Sequence, residues 1–165
     1  MGADGGPLFD AEHAAFMQSG ISLHMAACGA ELAPSVARAL GCRIAPQRTS
    51  VRLLVSRAQG AALLAHVGEN GRLAAVFSEP SSHRTVQLKA TDATVEAAGA
   101  DDIAAVARYR DAFVAHLETS GYNPALIRAF LACPDSDLCA IRFTPCAAFS
   151  QTPGAGAGEA LRMAP

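Results

Sequence analysis

The sequence predicts an α+β fold, an antiparallel barrel with a few peripheral helices, from three observations. Strand-like apolar segments follow one another with few helices between them. Two pairs of these segments are joined by connections short enough for antiparallel hairpins. The regular strand–helix alternation that builds a doubly wound parallel sheet is absent from the pattern.

Taken in order, Asp10 is placed to cap a helix over Ala11–Gln18, and Ser19-Gly20 stops it. Ile21–Cys28 alternates Ile21, Leu23 and Met25 and reads as a strand, followed by a turn at Gly29-Ala30-Glu31. Val36–Ile44 reads as one strand ended by Pro46, and Val51–Val55 as a short buried one. Gln59–Val67 has helical character, closed by Asn70-Gly71. Leu73–Phe77 is a buried strand, and Thr85–Glu96 a long strand or a bent pair broken near 90–93. Asp101-Asp102 reads as the cap of a helix with Ile103, Val106, Tyr109, Phe113 and Leu117 at helical spacing, ended by Gly121. Asn123-Pro124 opens a short helix over Ala125–Ala132, and Leu138–Phe149 is the last strand. The organisation expected is one domain over 1–152 and a Gly/Ala/Pro-rich tail over 153–165, irregular unless it docks.

Composition narrows the function classes. With 165 residues and 51% hydrophobic side chains, the chain can bury a core built from Leu, Val, Ile, Phe and Ala. A net charge of −2 supplies no bulk basic field for phosphate backbones, so no nucleic-acid partner is expected. No apolar run is long enough to cross a bilayer, and the Gly-rich start lacks a basic segment followed by an apolar one. A cytoplasmic location without membrane attachment is the expectation. Cys28, Cys42, Cys133, Cys139 and Cys146 are odd in number and irregularly spaced, a poor disulfide framework, and no CxxC or HxxxH pair suggests a metal. P-loop, GxGxxG and GxSxG motifs are missing as well; Gly154–Gly158 is Gly-rich but has no strand-to-helix unit around it.

The most informative stretch is Leu73–Lys89. An apolar strand leads through Pro80-Ser81-Ser82-His83 into Arg84-Thr85-Val86-Gln87-Leu88-Lys89. In an extended strand Val86 and Leu88 share one face, while Thr85, Gln87 and Lys89 present a hydroxyl, an amide and a cation on the other. With Arg84 at the mouth, such a row suits a planar anionic ligand. Taken alone, the same alternation also describes a solvated strand face.

This stretch resembles the strand pair of the pyridoxamine 5'-phosphate oxidase-like flavoproteins, in which an apolar strand leads into Arg-Gln-Val-x-Ile/Leu-x-Gly. Thr85 stands where that family has its ring-contacting Gln, and Ala90 replaces the Gly. Arg38 and Arg43 resemble the family's earlier basic pair, five residues apart, used on the flavin phosphate and ribityl chain. Ser56-Arg57 is the nearest match to the oxidase's phosphate-gripping Ser-Arg-Lys, without the Lys. Phe143–Gln151 resembles the closing strand, with Ser150 at the family's Trp and Gln151 matching directly. The C-terminal Arg-x-His of the oxidase has no counterpart after Arg162.

The resemblance spans about residues 20–152 and implies an FMN-binding split barrel, related to the oxidase rather than identical with it. It implies a homodimer with cofactor at the interface, and FMN held by Arg38, Arg43, Ser56, Arg57, Arg84, Thr85, Gln87, Lys89, Ser150 and Gln151. An FMN-dependent oxidoreductase of unknown substrate follows. The weakened ring contacts leave open a non-enzymatic module that stores or senses flavin or haem on the same fold.

Overall fold

A computed structural model describes residues 6–161. The reading of residues 1–5 as free of a leader, Arg162, and the last tail residues lie outside that range. Among the described residues, nine strands form two antiparallel sheets. The first has the order β2 (Pro34–Arg38), β1 (Ser22–Cys28), β5 (Leu73–Ser78), β6 (Thr85–Ala90), β9 (Ala147–Ser150). The second runs β3 (Gly41–Ile44), β4 (Val51–Ser56), β8 (Leu138–Phe143), β7 (Thr94–Ala97).

The chain passes from one sheet to the other by bending single extended segments. Val36–Ile44, expected as one strand, is divided at Ala39-Leu40: the Ala39 amide donates to Leu23 in the first sheet at 3.1 Å, and the next amide, Leu40, donates to Leu54 in the second at 2.6 Å. Leu138–Phe149 is likewise divided, at Thr144-Pro145-Cys146, because Pro145 has no N–H for a ladder. Thr85–Glu96 is the bent pair, broken over 91–93. These bends leave the barrel split rather than closed. Its interior is filled by the inward rows of both sheets, including Leu23, Met25, Phe77, Leu88, Leu53, Ile141 and Phe143.

Among the described residues, four α-helices flank the sheets. Asp10 caps α1 (Ala11–Met17) through the His13 amide, as expected. The second helix, α2 (Ala61–Asn70), starts two residues later than expected and packs on β1, β2 and β7. Gly71 ends it with φ +67, where a Cβ would strike the Thr91 carbonyl. Helix α3 (Ala100–Glu118) lies on β3 and α4 (Pro124–Phe130). The cap of α3 is Gly99, not Asp101-Asp102. Asp102 sits at the third helical position, accepts the Gly99 amide at 3.0 Å, and is buried for a reason the local pattern does not carry.

The Gly-rich tail docks. Gly158 donates to the Ser150 carbonyl, Ser150 to Glu159, and Leu161 to Ala148, so residues 158–161 run beside β9. No helix among the described residues is long and apolar enough to cross a membrane.

Candidate functional site

The first sheet buries one face and leaves the other open. Register sets the outer side chains in rows. Arg38, His24, Val76, Gln87 and Phe149 stand side by side across the five strands. Val36, Ala26, Ala74, Lys89 and Ala147 form the next row. Ser22, Ser78 and Thr85 form a third. The face is broad, with small apolar residues at its middle and polar ones around them. Val36 is 69% exposed upon it.

Gln87 and Lys89 point outward from β6 beside Thr85, while Val86 and Leu88 point into the barrel. Gln151 donates through its side-chain amide to the Gln87 carbonyl oxygen at 3.3 Å. The Lys89 ammonium lies 5.4 Å from the centre of the Phe149 ring. Thr85 is committed locally: its hydroxyl shares a 2.8 Å hydrogen bond with Ser78, and its amide donates to the Thr152 hydroxyl. Ser150 contributes its backbone to the docked tail. His83 takes a left-handed φ of +60 in the hairpin loop, and its carbonyl accepts from the Thr85 hydroxyl.

Several basic candidates are held by the protein's own carboxylates. Arg84 pairs with Glu12 at 2.9 Å and lies over the Phe16 ring. Ser56 is buried and donates to Asp137, a bond that ties β4 to the turn before β8. Arg43 is on the second sheet, bound to Asp102 at 2.7 Å and to Asp101 at 3.2 Å. Directly across from it is Arg52, and across from that is Arg142. Three guanidinium groups in one row repel. Asp102, 2% exposed, answers two of them, taking Arg43 on one oxygen and Arg52 on both, and Glu96 adds a further partner for Arg52. Burial alone would raise the Asp102 pKa, but hydrogen bonds from Arg52, the Gly99 amide and Arg43 outweigh it and hold it at about 2.

Arg57 is exposed, with no carboxylate partner among the described residues.

Arg38 is different from all of these. It leaves the end of β2 between two aromatic rings, 5.4 Å from the centre of Phe113 and 5.3 Å from that of Phe130. One terminal nitrogen reaches the Ser22 hydroxyl at 3.3 Å and His24 at 3.2 Å. The other is buried with no acceptor. An unanswered buried donor costs about 1–3 kcal/mol, more when charged. Desolvation, and then the Arg38 charge, lower the His24 pKa, so that ring is neutral near pH 7. Beside Arg38 opens a cavity of about 450 Å³ between α3, α4 and the start of β1. Tyr109, buried beside Arg38, donates its hydroxyl to Ile21 at 2.9 Å; burial pushes its pKa up to about 12, so it stays a donor. Phe113 and Phe130 could not be foreseen as partners of Arg38, because helical spacing shows that Phe113 faces inward but not what it meets.

Burial raises the pKa of Cys42, Cys133 and Cys139, which disfavours a thiolate nucleophile at any of the three. Among the described residues no group of three His, Cys, Asp or Glu side chains could hold a metal ion.

The architecture has solved counterparts. A putative pyridoxamine 5'-phosphate oxidase from Lactobacillus delbrueckii aligns with a TM-score of 0.53 at 13% identity, over 86% of this chain and 93% of that one. The fold is the split barrel of the pyridoxamine 5'-phosphate oxidase-like proteins. HupZ of Group A Streptococcus aligns at 0.55 and 13% identity over 91% of this chain and all of its own. HutZ, the heme storage protein of Vibrio cholerae, aligns at 0.50 and 16% identity over 87% and 94%. No family model and no curated protein sequence matches the chain.

Proposed function

We propose that the protein is an FMN-binding oxidoreductase whose cofactor lies on the outer face of the first sheet, covered by a second copy of the chain. The observation that carries this reading is the face itself: five strands wide, with small residues in its middle, a linked pair of side-chain amides at Gln87 and Gln151, and Lys89 beside Phe149. A planar heterocycle can lie on such a surface, and the amides supply both donors and acceptors for its edge. FMN fits this part of the site. Three of the expected contacts are already committed within the chain: Arg43 and Arg84 are neutralised by Asp102 and Glu12, and the Ser56 hydroxyl donates to Asp137. Lys89 and Arg38, both on this face and without a carboxylate partner among the described residues, are the cations that remain for its phosphate, with Arg57 after β4 of the second sheet also unpaired.

Bound there, the flavin would supply the redox chemistry, and the chain would orient it and exclude water. The open apolar middle of the face, with Val36 exposed, is the surface for the second copy. An absorbance spectrum of the purified protein tests the reading. Bands near about 375 and 450 nm, bleached by a reduced nicotinamide donor, are the expected result. A colourless protein that takes up no added FMN would contradict it.

A second reading, haem in place of flavin on the same face, is favoured by His24. Its neutral ring stands in the central row with Nε2 against Arg38; release of that contact would supply a nitrogen ligand and, next to it, a guanidinium for a propionate. A Soret band on adding haemin, lost in His24→Ala, would select it over FMN.

A further inference from the structure

We infer that the cavity between α3, α4 and the start of β1 is a binding site for a small monocarboxylate with an aromatic or apolar body, anchored by Arg38. The site is distinct from the cofactor face and meets it only at Arg38 and Ser22, so it does not rest on the flavin reading.

Three observations converge on this ligand chemistry. The cavity, about 450 Å³, is lined by Phe113, Leu117, Tyr122, Leu126 and Phe130, with Pro80 at the hairpin side, a solvent-open apolar cleft of the size that holds small organic molecules. Its charged lining residue is Arg38, accompanied by the Ser22 hydroxyl. Among the described residues Arg38 has no carboxylate partner, and one of its terminal nitrogens is buried without an acceptor. Elsewhere in the molecule Arg43, Arg52 and Arg84 are each answered by an Asp or Glu. A guanidinium fork presents two parallel donors to a carboxylate; here one arm meets the uncharged Ser22 and His24 and the other lies buried toward Tyr109, so no anion among the described residues answers the charge.

The aromatic flanks fit the rest of the ligand. Phe113 and Phe130 bracket the guanidinium and continue into the cavity wall, so a ligand ring that follows its carboxylate inward meets ring faces. Phe130 is 62% exposed, Tyr122 57% and Leu126 67%, and the first and last of these belong to the seven-residue α4. The lining is therefore more exposed than a core, as a site open to solvent requires. A phosphate-bearing ligand is less well matched, because a dianion would find a single unpaired cation there.

Calorimetric titration with cinnamate and with cinnamamide tests the inference. The two share shape and differ in charge. Cinnamate is expected to bind about 10-fold to 100-fold more tightly than the amide, the range a charge-assisted hydrogen bond supplies. Arg38→Gln should remove that preference, and Leu126→Trp, which fills the cavity from an exposed position and keeps Arg38, should weaken acid and amide alike. Folding of each variant is checked by circular dichroism, and Leu126→Trp carries the test if Arg38→Gln does not fold. Equal binding of acid and amide, no binding of either, or cinnamate binding untouched by Leu126→Trp would overturn the site. FMN titrated into the same sample reports separately: cinnamate binding without FMN binding would remove the flavin reading and leave this one standing.

Discussion

The two sheets carry arginines on their outer faces under opposite electrostatic conditions. On the second sheet, Arg43 and Arg52 converge on Asp102, which is buried at the start of α3 and is further held by the Gly99 amide. On the first, one Arg38 nitrogen is buried and the guanidinium has no carboxylate partner among the described residues. The first arrangement closes on itself and fastens α3 to β3 and β4. The second is open and has donor capacity left for something outside the chain. Charge alone does not mark a binding residue; a charge whose hydrogen-bonding capacity the fold leaves unused does.

The largest effect should come from breaking the closed arrangement. Asp102→Ala strands two guanidinium groups against each other beside Arg142 and should cost about 3–5 kcal/mol in urea denaturation. Acid should act on the same point more gently. The folded-state pKa of Asp102, about 2, lies below its unfolded value of 3.8, so its contribution is complete above the unfolded value and is lost as pH falls through the folded one. Roughly 2 kcal/mol of stability should disappear between about pH 4 and pH 2, and Asp102→Asn should flatten that part of the profile. Next comes Tyr109→Phe, which leaves the buried Ile21 carbonyl without its donor and should cost about 1 kcal/mol. Smallest of all should be Arg38→Met. It removes two hydrogen bonds but also an unanswered buried donor, so stability should change by less than about 1 kcal/mol in thermal unfolding. A large loss at Arg38 would move it into the structural class with Arg52.

The contrast also explains what could be read in advance. Alternation of apolar residues along Ile21–Cys28, Leu73–Phe77 and Thr85–Lys89 is a local property, and those strands and the outward set Thr85, Gln87 and Lys89 follow from it. The bend at Ala39-Leu40 has no Gly or Pro to announce it; it exists because successive amides find acceptors in different sheets. Asp102 looks like a helix cap because the local signal for a cap and for an acidic first turn is the same, and only Arg43 and Arg52, far away in sequence, distinguish them. Among the basic candidates, the sequence marks Arg38, Arg43, Arg57 and Arg84 alike. Which of them meets a carboxylate is a tertiary fact, set by Glu12, Asp101 and Asp102.

The central claim is that the open face of the first sheet receives a planar anionic cofactor. FMN fluorescence quenching, titrated into the wild-type chain and into Gln87→Ala/Lys89→Ala, measures it directly. Saturable binding that the double variant weakens at least about tenfold, with unfolding unchanged, is the predicted result. Equal quenching by both proteins, or none by either, would contradict it.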